Sequence, residues 1–234
     1  MSEERQNYRW LSFLTALFVT TLIISNIIAV KLVALGPLYV PAAVILFPIA
    51  YIFGDVLTEV YGYRRARQVI WTGFFCNLIA VLAIWIAGRL EAAPFWTAGV
   101  FSSPKGAQTA YDAILGFSPR LLLASFIAYL IGEFLNSFVL AKLKVRTAGR
   151  WLWLRTITST LVGEGADSLV FMSIAFYGVL PPDALRTAIF SQWSVKVAFE
   201  IIATPITYLV VNRLKRAEGV DYYDRETNFN PFAG

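Results

Sequence analysis

Histidine is absent from the 234 residues. That removes histidine-ligated zinc, a Ser-His-Asp triad and a histidine proton relay together. The single cysteine, Cys76, excludes an internal disulfide. Charge is also scarce: Asp, Glu, Lys and Arg make up 15% of the chain, against about 25% in an average soluble domain. Hydrophobic residues fill the difference, at 58% with a mean hydropathy of +0.63. This is the composition of an all-α integral membrane protein. The length has room for about six spans of ~20 residues and for no separate soluble domain.

The net charge of +5 raises nucleic acid as a partner, but the positions of the basic residues argue against it. They cluster at the ends of apolar segments, not along one exposed face. The expected spans are about 10–34, 38–60, 68–88, 119–141, 157–179 and 187–211, followed by a polar tail over 212–234. The first span follows Arg5 and Arg9 without a small-residue cleavage site, so it reads as a retained anchor. Gly36-Pro37 breaks the first two spans apart, and Pro41 and Pro48 predict a kinked or broken second helix. With the N-terminus inside, fourteen Lys/Arg fall on the cytoplasmic side and five opposite, which predicts both termini in the cytoplasm. The tail reads as a solvated end, with plugging of the cytoplasmic mouth as the alternative.

Six of the fifteen acids lie inside apolar segments: Asp55, Glu59, Glu133, Glu164, Asp167 and Glu200. Each costs roughly 2.5–3.5 kcal/mol to insert and so belongs in a bundle interior or a water-filled cavity. On helices, Tyr51, Asp55 and Glu59 share one face at four-residue spacing. Tyr129, Glu133, Asn136 and Ser137 repeat that face on span four, and Glu164 and Asp167 form a stripe on span five. Lys196 and Glu200 do the same on span six, and span one adds Asn26. The stretches Ala50–Glu59 and Ala128–Ser137 resemble each other, which suggests a parallel helix-hairpin repeat of spans two–three and four–five. The excess of acid suits a ligand that donates hydrogen bonds or carries positive charge, and a carboxylate can take two parallel N–H bonds. Blander readings exist for some of these residues. Glu59 can be solvated at the headgroups, Lys196 and Glu200 can lock span six, and Asn26 and Asn136 can be interhelical glue. The buried acids can also titrate as a proton-coupling site.

Gly54-Asp55-Val56-Leu57-Thr58-Glu59-Val60-Tyr61-Gly62-Tyr63, with Phe47-Pro48 ahead of it, resembles the signature of the queuosine-precursor transporters, also known as vitamin uptake transporters. The resemblance continues through Gly132-Glu133-Phe134-Leu135-Asn136-Ser137, Arg155 to Thr160, Gly163 to Ser168, then Lys196, Glu200 and Pro205. It implies a six-span inner-membrane importer of 7-deazaguanine compounds, namely 7-cyano-7-deazaguanine and 7-aminomethyl-7-deazaguanine, with no cofactor and no metal. Asn26, Tyr51, Asp55, Glu59, Glu133, Asn136, Glu164, Asp167, Lys196 and Glu200 are then the substrate-site candidates, with ring binding assigned to Glu133 or Glu164. The partners are the small-molecule substrate and the lipid bilayer. A homodimer and an energy-coupling partner stay open, the latter because a substrate-binding subunit of an ATP-driven importer would look similar. An intramembrane metal-carboxylate enzyme is a weaker rival, since no nucleophile–base pair is evident.

Overall fold

The computed structural model describes residues 8–35, 38–116 and 119–233. Arg5 and the Gly36-Pro37 breaker lie outside the described residues. Among these residues seven α-helices follow in order: α1 (Leu11–Ile28), α2 (Phe47–Tyr61), α3 (Tyr63–Arg89), α4 (Pro104–Leu115), α5 (Pro119–Arg146), α6 (Leu152–Phe176) and α7 (Pro182–Glu218). Strands β1 (Leu32–Leu35) and β2 (Leu38–Pro41) pair antiparallel between α1 and α2, with Val33 opposite Val40.

This hairpin corrects the expectation of continuous spans over 10–34 and 38–60. Helix α1 stops at Ile28, and α2 starts only at Phe47 after a 3-10 turn over Ala42–Ile45. Hydropathy alone cannot distinguish an apolar helix from an apolar hairpin. At 15 residues, α2 is about 22 Å long at 1.5 Å per residue, so a crossing of ~30 Å needs the segment ahead of it as well. The structure also adds α4 within the 89–118 connection. At the other end α7 runs on to Glu218, where Gly219 closes it in the left-handed region at φ 66°.

Among the described residues four segments are long and apolar enough to cross a membrane: Leu11–Ile28, Tyr63–Arg89, Pro104–Arg146 and Pro182–Glu218. Helix α6 has the length and is largely apolar, but carries Arg155, Glu164 and Asp167. Large apolar side chains such as Phe75, Ile79, Leu82 and Ile86 stand exposed at helical spacing on α3, where lipid replaces a protein partner.

The chain repeatedly returns to one end of the bundle. Glu218, at the end of α7, accepts the Arg9 and Trp10 amides ahead of α1 at 3.0 and 2.7 Å, and the Tyr61 hydroxyl at 2.9 Å. The end of α2, the start of α3, the end of α5 and the start of α6 meet at the same place. The main apolar cluster lies there, with Leu14, Phe18, Val56, Val60, Tyr61, Leu152 and Val211.

Gly62 separates α2 from α3 with φ 82°, and a Cβ there would lie 2.2 Å from the Tyr222 ring. Only glycine meets both demands. Helices α5 and α6 form the most extensive pair in the molecule, and small residues allow their close approach. A Cβ on Gly163 would come within 2.7 Å of Asn136 Cβ and 2.8 Å of the Gly132 carbonyl. Helices α2 and α3 touch far less, so the two hairpins of the suggested repeat differ in packing.

Candidate functional site

Helices α2 and α5 run side by side toward the converged end, and their polar residues meet in successive layers. The first layer is closed by ion pairs. Glu59 is fully buried and receives Arg155 Nη2 at 2.8 Å and Nε at 3.2 Å, the two-pronged geometry that suits a guanidinium. Lys215 Nζ reaches the same carboxylate at 2.7 Å, and Lys144 Nζ stands 3.6 Å from it. Both lysines also hold Asp221, at 2.5 and 2.8 Å. Glu59, expected among the substrate contacts, is therefore surrounded by three cations of its own chain. Their partners lie 85 to 156 residues away, beyond the reach of any spacing argument.

The tail continues from this layer as a strap, contrary to the expected solvated end. The Tyr222 amide donates to the Val60 carbonyl at 3.3 Å. Asp224 accepts the Tyr63 amide, and Tyr63 Oη donates to the Phe229 carbonyl at 3.0 Å. Arg67 reaches the Asn230 carbonyl at 2.7 Å and Trp71 Nε1 the Pro231 carbonyl at 2.9 Å. Lys142 lies 4.1 Å above the Phe229 ring.

Burial pushes the Asp221 carboxyl up, but hydrogen bonds from Lys144 and Lys215 outweigh it and hold Asp221 below the usual carboxylate range. A depressed folded value means stability that is present above the unfolded value, about 3.9, and lost as pH falls through the lower folded one. Asp224 is opposite in sign, because burial raises it. Asp221→Asn should therefore lower the melting temperature at neutral pH. The gap to wild type should close as pH falls below about 4; a gap that is constant with pH would detach Asp221 from the ion layer.

Directly beside Glu59 along α2, Thr58 places its hydroxyl 3.0 Å from that of Ser137 on α5. One turn deeper, Asn136 Nδ2 donates to Asp55 Oδ1 at 3.0 Å, while Asp55 Oδ2 and Asn136 Oδ1 are buried without a partner among the described residues. Glu200, from α7, stands within electrostatic reach of Asp55. It is fully buried, and among the described residues neither of its carboxylate oxygens has a hydrogen-bond partner. Thr156 is its nearby hydroxyl, but that proton is directed to the Trp153 carbonyl at 3.2 Å. Glu200 lies in the turn before Pro205, which lacks the N–H that would bond the Ile201 carbonyl.

Beside this layer, Lys196 pairs with Glu164 at 2.7 Å and closely with Asp167. This replaces the expected Lys196–Glu200 pair: the lysine bridges to α6 and leaves Glu200 unneutralised by it. Glu133, half-buried, lies within reach of Glu164, Asp167 and Lys196, and a Cβ on Gly54 would stand 3.5 Å from its Oε2. The structure thus gathers Asp55, Glu133, Asn136, Glu164, Asp167, Lys196 and Glu200 into one polar interior. Asn26 is apart from them, donating to Asn77 Oδ1 on α3 at 3.0 Å. The Tyr51 backbone lies in α2, and its side chain falls outside the described residues. Sequence reasoning missed Arg155, Lys144 and Lys215 as partners of Glu59, because each reads as an ordinary basic residue beside a span.

Apolar outside and acid-lined inside, this multi-pass bundle is an inner-membrane transporter and not an enzyme. The chain belongs to the family described as "Putative vitamin uptake transporter", whose model matches residues 41–210. It is 30% identical over 200 residues to the "Probable queuosine precursor transporter" of Bacillus subtilis (strain 168), covering 85% of this chain and 80% of that relative. The "Queuosine precursor transporter" of Escherichia coli (strain K12) is 27% identical over 210 residues, covering 88% and 86%. A third relative, the "Probable queuosine precursor transporter" of Haemophilus influenzae, is 28% identical over 196 residues, covering 77% and 74%. No solved structure matches the chain.

Proposed function

We propose that the chain imports queuosine precursors of the 7-deazaguanine class, 7-cyano-7-deazaguanine and 7-aminomethyl-7-deazaguanine. In this reading it crosses the inner membrane six times, with both termini and the strap in the cytoplasm. The bias of basic residues toward the converged end supports that orientation, and the names of the relatives support the substrate.

The observation that carries the reading is Glu200, a buried carboxylate with two unpartnered oxygens. An unpaired ionised carboxylate in the interior is costly. The 2-amino-4-oxo ring relieves that cost by presenting two adjacent N–H donors to the pair of oxygens. Glu164 is already engaged by Lys196, so the ring contact moves from the expected Glu133 or Glu164 to Glu200. Glu133, half-buried and within reach of Glu164 and Asp167, meets the cation of the aminomethyl form. Asp55 is reserved by Asn136 and is not a substrate contact in this scheme.

The test is uptake of labelled 7-deazaguanines by the purified protein in liposomes without ATP, beside thermal stabilisation by the same compounds. Stabilisation together with ATP-free uptake is the expected result. Stabilisation without ATP-free uptake would make the chain the binding subunit of an ATP-driven importer. Folded protein that none of the compounds stabilises would reject the substrate class.

A further inference from the structure

The atoms left over on Asp55 and Asn136 are complementary. Asn136 Nδ2 already donates to Asp55 Oδ1 at 3.0 Å, and the orphans are Asp55 Oδ2 and Asn136 Oδ1. Both are acceptors while Asp55 is ionised, so neither can satisfy the other. A carboxylic acid, however, donates through one oxygen and accepts through the other, as a primary amide does through nitrogen and oxygen. A single proton on Asp55 Oδ2 provides the donor that both orphans lack. We propose that Asp55, paired with Asn136, is the proton-binding site that couples substrate import to inward movement of a proton. This inference rests on the transport function proposed above.

The surroundings of Asp55 favour that role. The charged groups acting on it are acids: Glu200 from α7, Glu133 from α5 and Glu59 one turn along α2. Helix α1 carries no titratable side chain over Leu11–Ile28, and α3 has Arg64, Arg65 and Arg67 in its first turn at the converged end. Of these, Arg67 is held by the strap carbonyls. Lys196 is engaged with Glu164 and Asp167. Asp55 and Glu200, as neighbouring buried carboxylates, repel each other when both are ionised.

A proton arriving from outside at Asp55 Oδ2 removes that repulsion. Glu200 then keeps its charge at lower cost and takes the N–H edge of the substrate. When the site opens inward and the proton leaves Asp55 for the cytoplasm, the repulsion returns and the substrate is released. Proton and substrate favour each other's binding, which is the thermodynamic requirement for coupling.

Asp55→Asn is the decisive variant, because its amide permanently supplies the N–H that the protonated acid would offer to Asn136. It should melt like wild type, bind 7-deazaguanines and exchange labelled for unlabelled substrate across liposomes. Concentrative uptake driven by an acidic exterior should be lost. Wild-type accumulation by Asp55→Asn overturns the proposal. So does loss of binding by folded Asp55→Asn, which would make Asp55 a substrate ligand.

A second readout needs no substrate. Infrared difference spectra of the wild type should show a protonated-carboxyl stretch that is absent from Asp55→Asn, and its absence at every pH where the protein is folded overturns the proton site. If that band is present but the wild type binds no deazaguanine, the proton site stands and the substrate reading fails.

Discussion

Glu59→Gln should lower the folding stability of the protein by about 3–5 kcal/mol, the scale for breaking a buried ion pair from one side. Glu59 is fully buried, and so are Arg155 and Lys144, each about 1% exposed. Glutamine keeps the shape but removes the charge that Arg155, Lys215 and Lys144 share. Asp221 alone then faces both lysines, and the guanidinium is left against an amide. Salt should change the effect little, since buried pairs are weakly screened.

The measurement is the unfolding midpoint in detergent of wild type, Glu59→Gln, Arg155→Met and the double variant. The double variant should lose less than the sum of the single ones, as required of groups in direct contact. Glu59→Gln with wild-type stability and abolished substrate binding would return Glu59 to the substrate site. The ion layer also joins α2, α5, α6 and α7 to the strap, so its loss should loosen the whole converged end.

Glu200→Gln should have the opposite profile, an unchanged or slightly higher melting temperature with binding of 7-deazaguanines nearly lost. Among the described residues neither Glu200 oxygen has a hydrogen-bond partner, and Thr156 supplies a hydroxyl nearby, so removing the charge relieves a buried anion at little cost in internal hydrogen bonds. The substrate, however, loses a charge-assisted acceptor and meets an NH₂ where it needs an oxygen. A loss of roughly 3 kcal/mol follows from hydrogen bonds to charged groups at ~1.5–3 kcal/mol each. That is about a hundredfold in affinity.

Calorimetric titration of Glu200→Gln and wild type reads this directly. A 4-oxo-7-deazapurine lacking the 2-amino group keeps only the ring N–H of the two donors, so it should bind wild type more weakly and lose less affinity in Glu200→Gln than the full 7-deazaguanine does. Wild-type affinity of Glu200→Gln for the full 7-deazaguanine would move ring recognition to Glu133 or Glu164.

The sequence by itself determined the membrane class and the location of the polar interior, because lipid penalises charge so strongly that every acid within an apolar segment needs a reason. Asp55, Glu133, Glu164, Asp167 and Glu200 were legible for that reason, and the Gly54–Tyr63 motif pointed to the family. It did not determine who pairs with whom. Lys196 is four residues from Glu200 in sequence, yet it turns to Glu164 and Asp167. The reason is that α6 packs beside α7, and two nearby carboxylates neutralise a lysine better than one on its own helix. Glu59 and Asp55 share one helical face. Tertiary packing makes the first an ion-layer anchor and leaves the second beside an asparagine. The hairpin over 32–41 was hidden because apolar residues look alike whether helical or extended. The strap was hidden because a polar tail shows no periodicity, and its docking depends on backbone carbonyls that carry no side-chain signal. Chemistry tied to burial cost can be read along a chain, but partners brought together by folding across a hundred residues cannot.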